Sequence, residues 1–110
     1  MNHIQKQEYK YLKRVTILLE KQTWSKEDFE YIRDSFDSFC KSVKLDKLSA
    51  LRYGEVFLGK ITKEYDLKDY NNSRSLIQHI IASVDSLEIP TIAVTVGAII
   101  YLVLNEEDKK

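Results

Sequence analysis

Two histidines and one cysteine are the residues in this chain best suited to act as base, nucleophile or soft metal ligand, and their spacing assembles none of those chemistries. A reactive thiol needs partial exposure and nearby positive charge. Cys40 instead shares a helical stripe with Phe36, Phe39 and Val43, so it reads as a small core residue. His79 lies beside apolar positions, with no second histidine, cysteine or carboxylate at ligand spacing on the same helix. A di-iron bundle needs paired Glu-x-x-His motifs, and neither His3 nor His79 has a glutamate three residues before it. The segment Gly59-Lys60-Ile61-Thr62 lacks the upstream glycine of a phosphate-binding loop. No serine, cysteine and histidine fall into a recognised nucleophile motif. The expectation is a protein that is not an enzyme and holds no cofactor and no metal.

The charged residues are more informative. Glu27, Glu30, Asp34 and Asp37 recur at three and four residues, nearly opposite an apolar stripe, with Tyr31 among them. Like charges at that spacing weaken an isolated helix by a few tenths of a kcal/mol per pair, about the size of ordinary side-chain pair effects. Such a ridge suits docking to a basic protein surface, where opposite charge speeds encounter and excludes wrong partners. Two i, i+4 pairs, Asp37 with Lys41 and Lys60 with Glu64, soften it. Lys6, Lys10, Lys13, Arg14 and Lys21, with Tyr9 alongside, form a basic face that could track a phosphate backbone. A formal net charge of zero, from 17 basic and 17 acidic residues, argues against nucleic acid. The two faces could also meet across a homodimer. Of seven tyrosines, Tyr31, Tyr53 and Tyr70 lie off or at the edges of the apolar stripes, where they favour protein contacts.

The elements that must carry these faces are helices. With 44% hydrophobic and 31% charged residues, three glycines and one proline, 110 residues suit one domain and few tight turns. Five helices are expected, over about 2–21, 25–44, 47–65, 73–87 and 90–105. In the first, Ile4, Tyr11, Val15, Leu18 and Leu19 form the stripe, with Leu12 at its edge. The second opens on Ser25 with Asp28 three residues later, a capping-box pattern, and Trp24 and Phe29 stand where a hydrophobic staple needs them. It buries Phe29, Ile32, Phe36, Phe39, Cys40 and Val43. Asp46 or Ser49 caps the third, whose stripe is Leu51, Leu58, Ile61 and Tyr65. Gly54 falls in that stripe, where it costs roughly 1 kcal/mol of helix propensity, so another helix is expected to approach closely there. Residues 66–74 read as a loop, with Asn72 or Ser73 capping a fourth helix that buries Leu76, Ile77, Ile80, Ile81, Val84 and Leu87.

The stretch from Ile89 to Leu104 carries no charge and is closed by Asn105, Glu106, Glu107 and Asp108. Pro90 suits the first turn of a helix. The β-branched residues that follow also permit a buried hairpin turning at Gly97-Ala98. A lone hairpin lacks strands to pair its edges, and the helix is the preferred reading. As a helix the run rises about 24 Å against a bilayer core of about 30 Å, and acidic residues flank it where an anchor carries lysine or arginine. It is therefore expected to be the central core element of an all-α bundle.

The size, the charged amphipathic helices and the antiparallel layout resemble the small helical immunity proteins that protect bacteria from their own bacteriocins. The resemblance is architectural, and this chain departs from it in placing its most apolar helix last. It implies a protein that inhibits or neutralises another protein. One cysteine permits no internal disulfide, and the N-terminus lacks the apolar segment of a secretory signal, so a cytoplasmic setting is expected. The leading expectation is a non-enzymatic protein-binding module, an inhibitor, immunity-type or adaptor protein. It would use Glu27, Glu30, Tyr31, Asp34 and Asp37. The alternatives are a nucleic-acid-binding regulator acting through the basic first helix and a membrane-associated protein anchored by the apolar segment.

Overall fold

In the computed structural model the described residues form five helices: α1 (His3–Leu18), α2 (Lys26–Ser42), α3 (Lys47–Leu58), α4 (Tyr70–Ala82) and α5 (Ile89–Asp108). The structure describes residues 2–59, 67, 69–83 and 88–108, with side chains as far as 105, and among them there is no strand. The expected all-α single-domain bundle is what the chain adopts.

Helix α5 is the centre of it. Every residue from 92 to 100 is buried, on all sides of the helix, and α5 packs against each of the other four helices. The uncharged part of the helix needs such a sheath, since no face of it gains from water. The hairpin alternative is excluded: Gly97 and Ala98 lie within the helix. Pro90 falls in the first turn, and the Thr95 hydroxyl donates to the Thr91 carbonyl at 2.7 Å, one turn back, which lets a threonine be fully buried. Among the described residues no helix is long and apolar enough to cross a membrane.

The approach of α3 to α5 is set by Gly54. A Cβ built there would fall on the Val94 carbonyl oxygen and lie 2.9 Å from the Ala98 Cβ. Ala50, Gly54 and Leu58 thus form the buried face of α3, with Leu51 half-buried beside them. Of the residues expected on that stripe, Ile61 and Tyr65 lie outside the described residues, as does any extension of α3 beyond residue 59.

The start of α2 follows its local sequence. The Asp28 carboxylate accepts from the Ser25 backbone N–H at 2.8 Å, and the Trp24 and Phe29 rings meet edge-on, 5.3 Å apart. Burial of Asp28 opposes its ionisation, but the Lys21 ammonium at 2.9 Å and the Ser25 donors outweigh it and hold the carboxyl below its ordinary value. A depressed folded-state pKa gives stability that is present above the unfolded value and lost as pH falls through the folded one. Asp28→Ala is therefore expected to cost about 1 kcal/mol at neutral pH. Thermal melts carried from neutral pH into acid should show the gap to wild type closing.

At the other end, α2 stops at Ser42 rather than residue 44. Lys44 adopts φ 56°, and the Leu45 N–H donates to the Cys40 carbonyl at 2.9 Å, the helix-closing loop that glycine usually supplies. Lysine in the left-handed region is strained. Lys44→Gly is expected to raise stability by about 0.5–1 kcal/mol, measured by urea unfolding.

Three further boundaries and contacts differ from the sequence expectation. Helix α1 ends at Leu18, and the carbonyls at and just beyond its end are taken by distant side chains: Trp24 Nε1 donates to Leu18 at 2.9 Å, and the Arg74 guanidinium to Leu19 at 2.6 Å and to Lys21 at 2.9 Å. Ile4, expected in the α1 stripe, is instead 50% exposed, in the first turn of the helix where His3 meets Ser42 at the end of α2. Helix α4 begins at Tyr70, not 73, because Asp69 caps it by accepting from the Asn71 and Asn72 N–H groups at 2.7 and 3.2 Å. Tyr70 then stacks on Phe29 with ring centroids 5.1 Å apart, so it belongs to the packing rather than to an exposed surface. Leu76, Ile77 and Ile80 are buried as expected, while Val84 and Leu87 lie outside the described residues.

Candidate protein-binding face

Helices α1 and α2 run antiparallel, with His3 against Ser42 at one end and Lys21 against Asp28 at the other. Burying Phe29, Ile32, Phe36, Phe39 and Cys40 on the inner side of α2 turns the opposite side outward. That outer side carries the expected residues Glu27, Glu30, Tyr31 and Asp34, and the structure brings these four together. Tyr31 is 50% exposed. The Glu27 carboxyl is held below its ordinary value by a backbone N–H in the first turn and by the Ser25 hydroxyl. Arg33 lies between the acids, 3.9 Å from Glu30 and 3.3 Å from Asp34, and offsets part of their charge.

Asp37 departs from the ridge. Its carboxylate accepts from the Tyr101 hydroxyl of α5 and lies 3.9 Å from the Lys47 ammonium, which also sits over the Tyr101 ring. Its recorded partners are thus Tyr101 and Lys47 rather than Lys41. Burial and the neighbouring Asp37 push the Tyr101 phenol up, and they raise the Cys40 thiol to about 11. Cys40 is accordingly a buried, protonated thiol, as its place in the stripe implied. Lys60 and Glu64, the other expected local pair, lie outside the described residues.

The structure adds what the sequence reading missed. Ile17 is 54% exposed, on the basic face of α1, and with Arg14, Leu18, Asp28 and Tyr31 it lines a shallow cleft of about 280 Å³ beside the acidic residues. A lone isoleucine among lysines on a polar face was the available signal. Glu8 is the reverse case: it falls in register with the α1 stripe, is only 5% exposed, and burial raises its pKa.

The basic residues of α1 stand in different surroundings. Lys10 and Arg14 line the seam with α2, Lys13 and Tyr9 border an apolar cleft with Leu12, Ile81 and Ile92, and Lys21 is paired with Asp28. His79 is exposed on α4. Among the described residues no group of histidine, cysteine and carboxylate side chains could hold a metal ion. Comparison with protein-family models, curated proteins and solved structures gave no match.

Proposed function

We propose that this protein is a non-enzymatic binding module that inhibits, neutralises or adapts another protein, docking a basic surface of that partner on the outer face of α2. The observation that carries this is the pairing of Tyr31 and Ile17. These are two large side chains, half exposed, that line one shallow cleft with Arg14, Leu18 and Asp28, and Tyr31 shares the outer face of α2 with Glu27, Glu30 and Asp34. An apolar centre with a charged rim is the anatomy of a protein interface, and tyrosine supplies contact area at small entropic cost. The acids steer the encounter, and the Tyr31–Ile17 patch gives the desolvated contact.

The test is affinity capture from the source cells with the wild-type chain and two variants, read by mass spectrometry. Glu30→Lys combined with Asp34→Lys should abolish recovery of the partner, and Tyr31→Ala should weaken it. Both keep the fold, because these side chains are at the surface. A partner recovered equally by wild type and by both variants removes this face from the interface.

A further inference from the structure

The seam between α1 and α2 contains a second cleft, of about 260 Å³, independent of the acidic face. From α1 it receives Gln7, Lys10 and Arg14, and from α2 Ser35, Ser38 and Ser42. Lys10 and Arg14 stand one turn apart on the same side of their helix, where like charges repel. Among the described residues neither meets a carboxylate, whereas Lys21, Arg33 and Lys47 all do. No acidic residue lines the cleft. Its inner wall includes Tyr11 and Phe39, whose rings stack 5.9 Å apart, and such apolar surface strengthens the field of the two cations.

The serines divide the remaining work. Ser35 and Ser42 each donate to a carbonyl one turn back, Tyr31 at 3.1 Å and Ser38 at 2.8 Å, so toward a ligand they offer lone pairs. The Ser38 hydroxyl is committed to no partner among the described residues and can donate. Two cations and a donor specify an anion, while two acceptors beside them specify hydroxyl groups on the same ligand. The volume is on the order of nine waters and falls below the usual range for larger organic ligands.

We propose that this cleft binds a small free phosphate monoester bearing neighbouring hydroxyls, a polyol or sugar phosphate. Lys10 and Arg14 hold the phosphate with Ser38, and Ser35 and Ser42 accept from the hydroxyls. Arg14 also borders the Ile17–Tyr31 cleft, so Lys10 is the residue that tests this site alone.

The experiment is an NMR titration of the ¹⁵N-labelled full chain at low ionic strength with inorganic phosphate, glycerol 3-phosphate and O-phosphoserine. Saturable amide shifts are expected around residues 7–14 and 35–42, with glycerol 3-phosphate binding several-fold more tightly than the other two. Lys10→Gln should weaken it about tenfold, the worth of a charge-assisted hydrogen bond. Lys6→Gln with Lys13→Gln, on the same helix but outside the cleft, should change it less than about twofold. None of these lysine side chains makes a hydrogen bond or ion pair among the described residues, so the variants fold, and the amide spectrum verifies it. Absence of saturation, an equal loss in the Lys6/Lys13 control, or equal binding of the three probes would overturn the proposal.

Discussion

Replacing Gly54 with alanine is expected to destabilise the protein by about 2 kcal/mol, although alanine is the better helix former by about 1 kcal/mol. The new methyl group would collide with the Val94 carbonyl oxygen, which is part of the α5 backbone and cannot rotate away. Helix α3 would have to back off, opening the seam along Ala50 and Leu58. Gly59→Ala is the matched control. Its nearest neighbour is the Glu55 carbonyl oxygen at 3.4 Å, an ordinary contact, and its backbone is already helical with φ −59°. That change should be neutral or stabilising by up to about 1 kcal/mol. Urea unfolding followed by circular dichroism reads both. A Gly54→Ala protein as stable as wild type would mean that α3 does not cross α5 at this point.

The larger effect is expected at Phe36. Its ring is fully buried, with Tyr11, Phe39 and Tyr101 centred 5.6, 6.2 and 6.3 Å away, and its edge faces Gly97 on α5. Phe36→Ala should cost about 3–5 kcal/mol, a large part of the whole stability of a typical domain. The same contact predicts a coupling. A Cβ at Gly97 would lie 2.6 Å from the ring, which its three aromatic neighbours hold in place, so Gly97→Ala should cost about 1–3 kcal/mol. In a Phe36→Leu background the obstructing ring is gone, and most of that cost should disappear. A double-mutant cycle measured by urea unfolding tests this. Energies that add within about 0.5 kcal/mol would show that the two residues do not touch.

Both predictions rest on glycines, and the two were not equally legible. Gly54 stood in an apolar stripe of a helix it weakens, which was enough to expect a close neighbour. Gly97 carried no comparable mark: in a run of β-branched residues it was as consistent with a turn as with a helix. Only its place opposite Phe36, 61 positions earlier in the numbering, explains it. The acidic ridge behaved similarly. Glu27, Glu30 and Asp34 face outward because the stripe opposite them faces inward, a relation internal to one helix. Asp37 obeyed the same spacing, yet it is drawn to Tyr101, 64 residues away, and no periodicity reports that. Ile17 and Tyr31 became neighbours only when α1 and α2 were laid side by side.

The amino-acid order by itself determined that the fold is all-α, which side of α2 is buried, how α2 begins, and that the uncharged segment is the centre. Each of these follows from interactions within about one or two helical turns, or from the plain need of an apolar surface to leave water. The folded arrangement decided what closes the end of α1, where Trp24 takes the Leu18 carbonyl and Arg74 of α4 those of Leu19 and Lys21 just beyond it. It also decided that Ile4 stays exposed while Glu8 is buried, and which charges in the seam between α1 and α2 meet no carboxylate among the described residues. Those outcomes depend on groups far apart in the chain meeting within a few ångströms, and a local pattern carries no record of that distance.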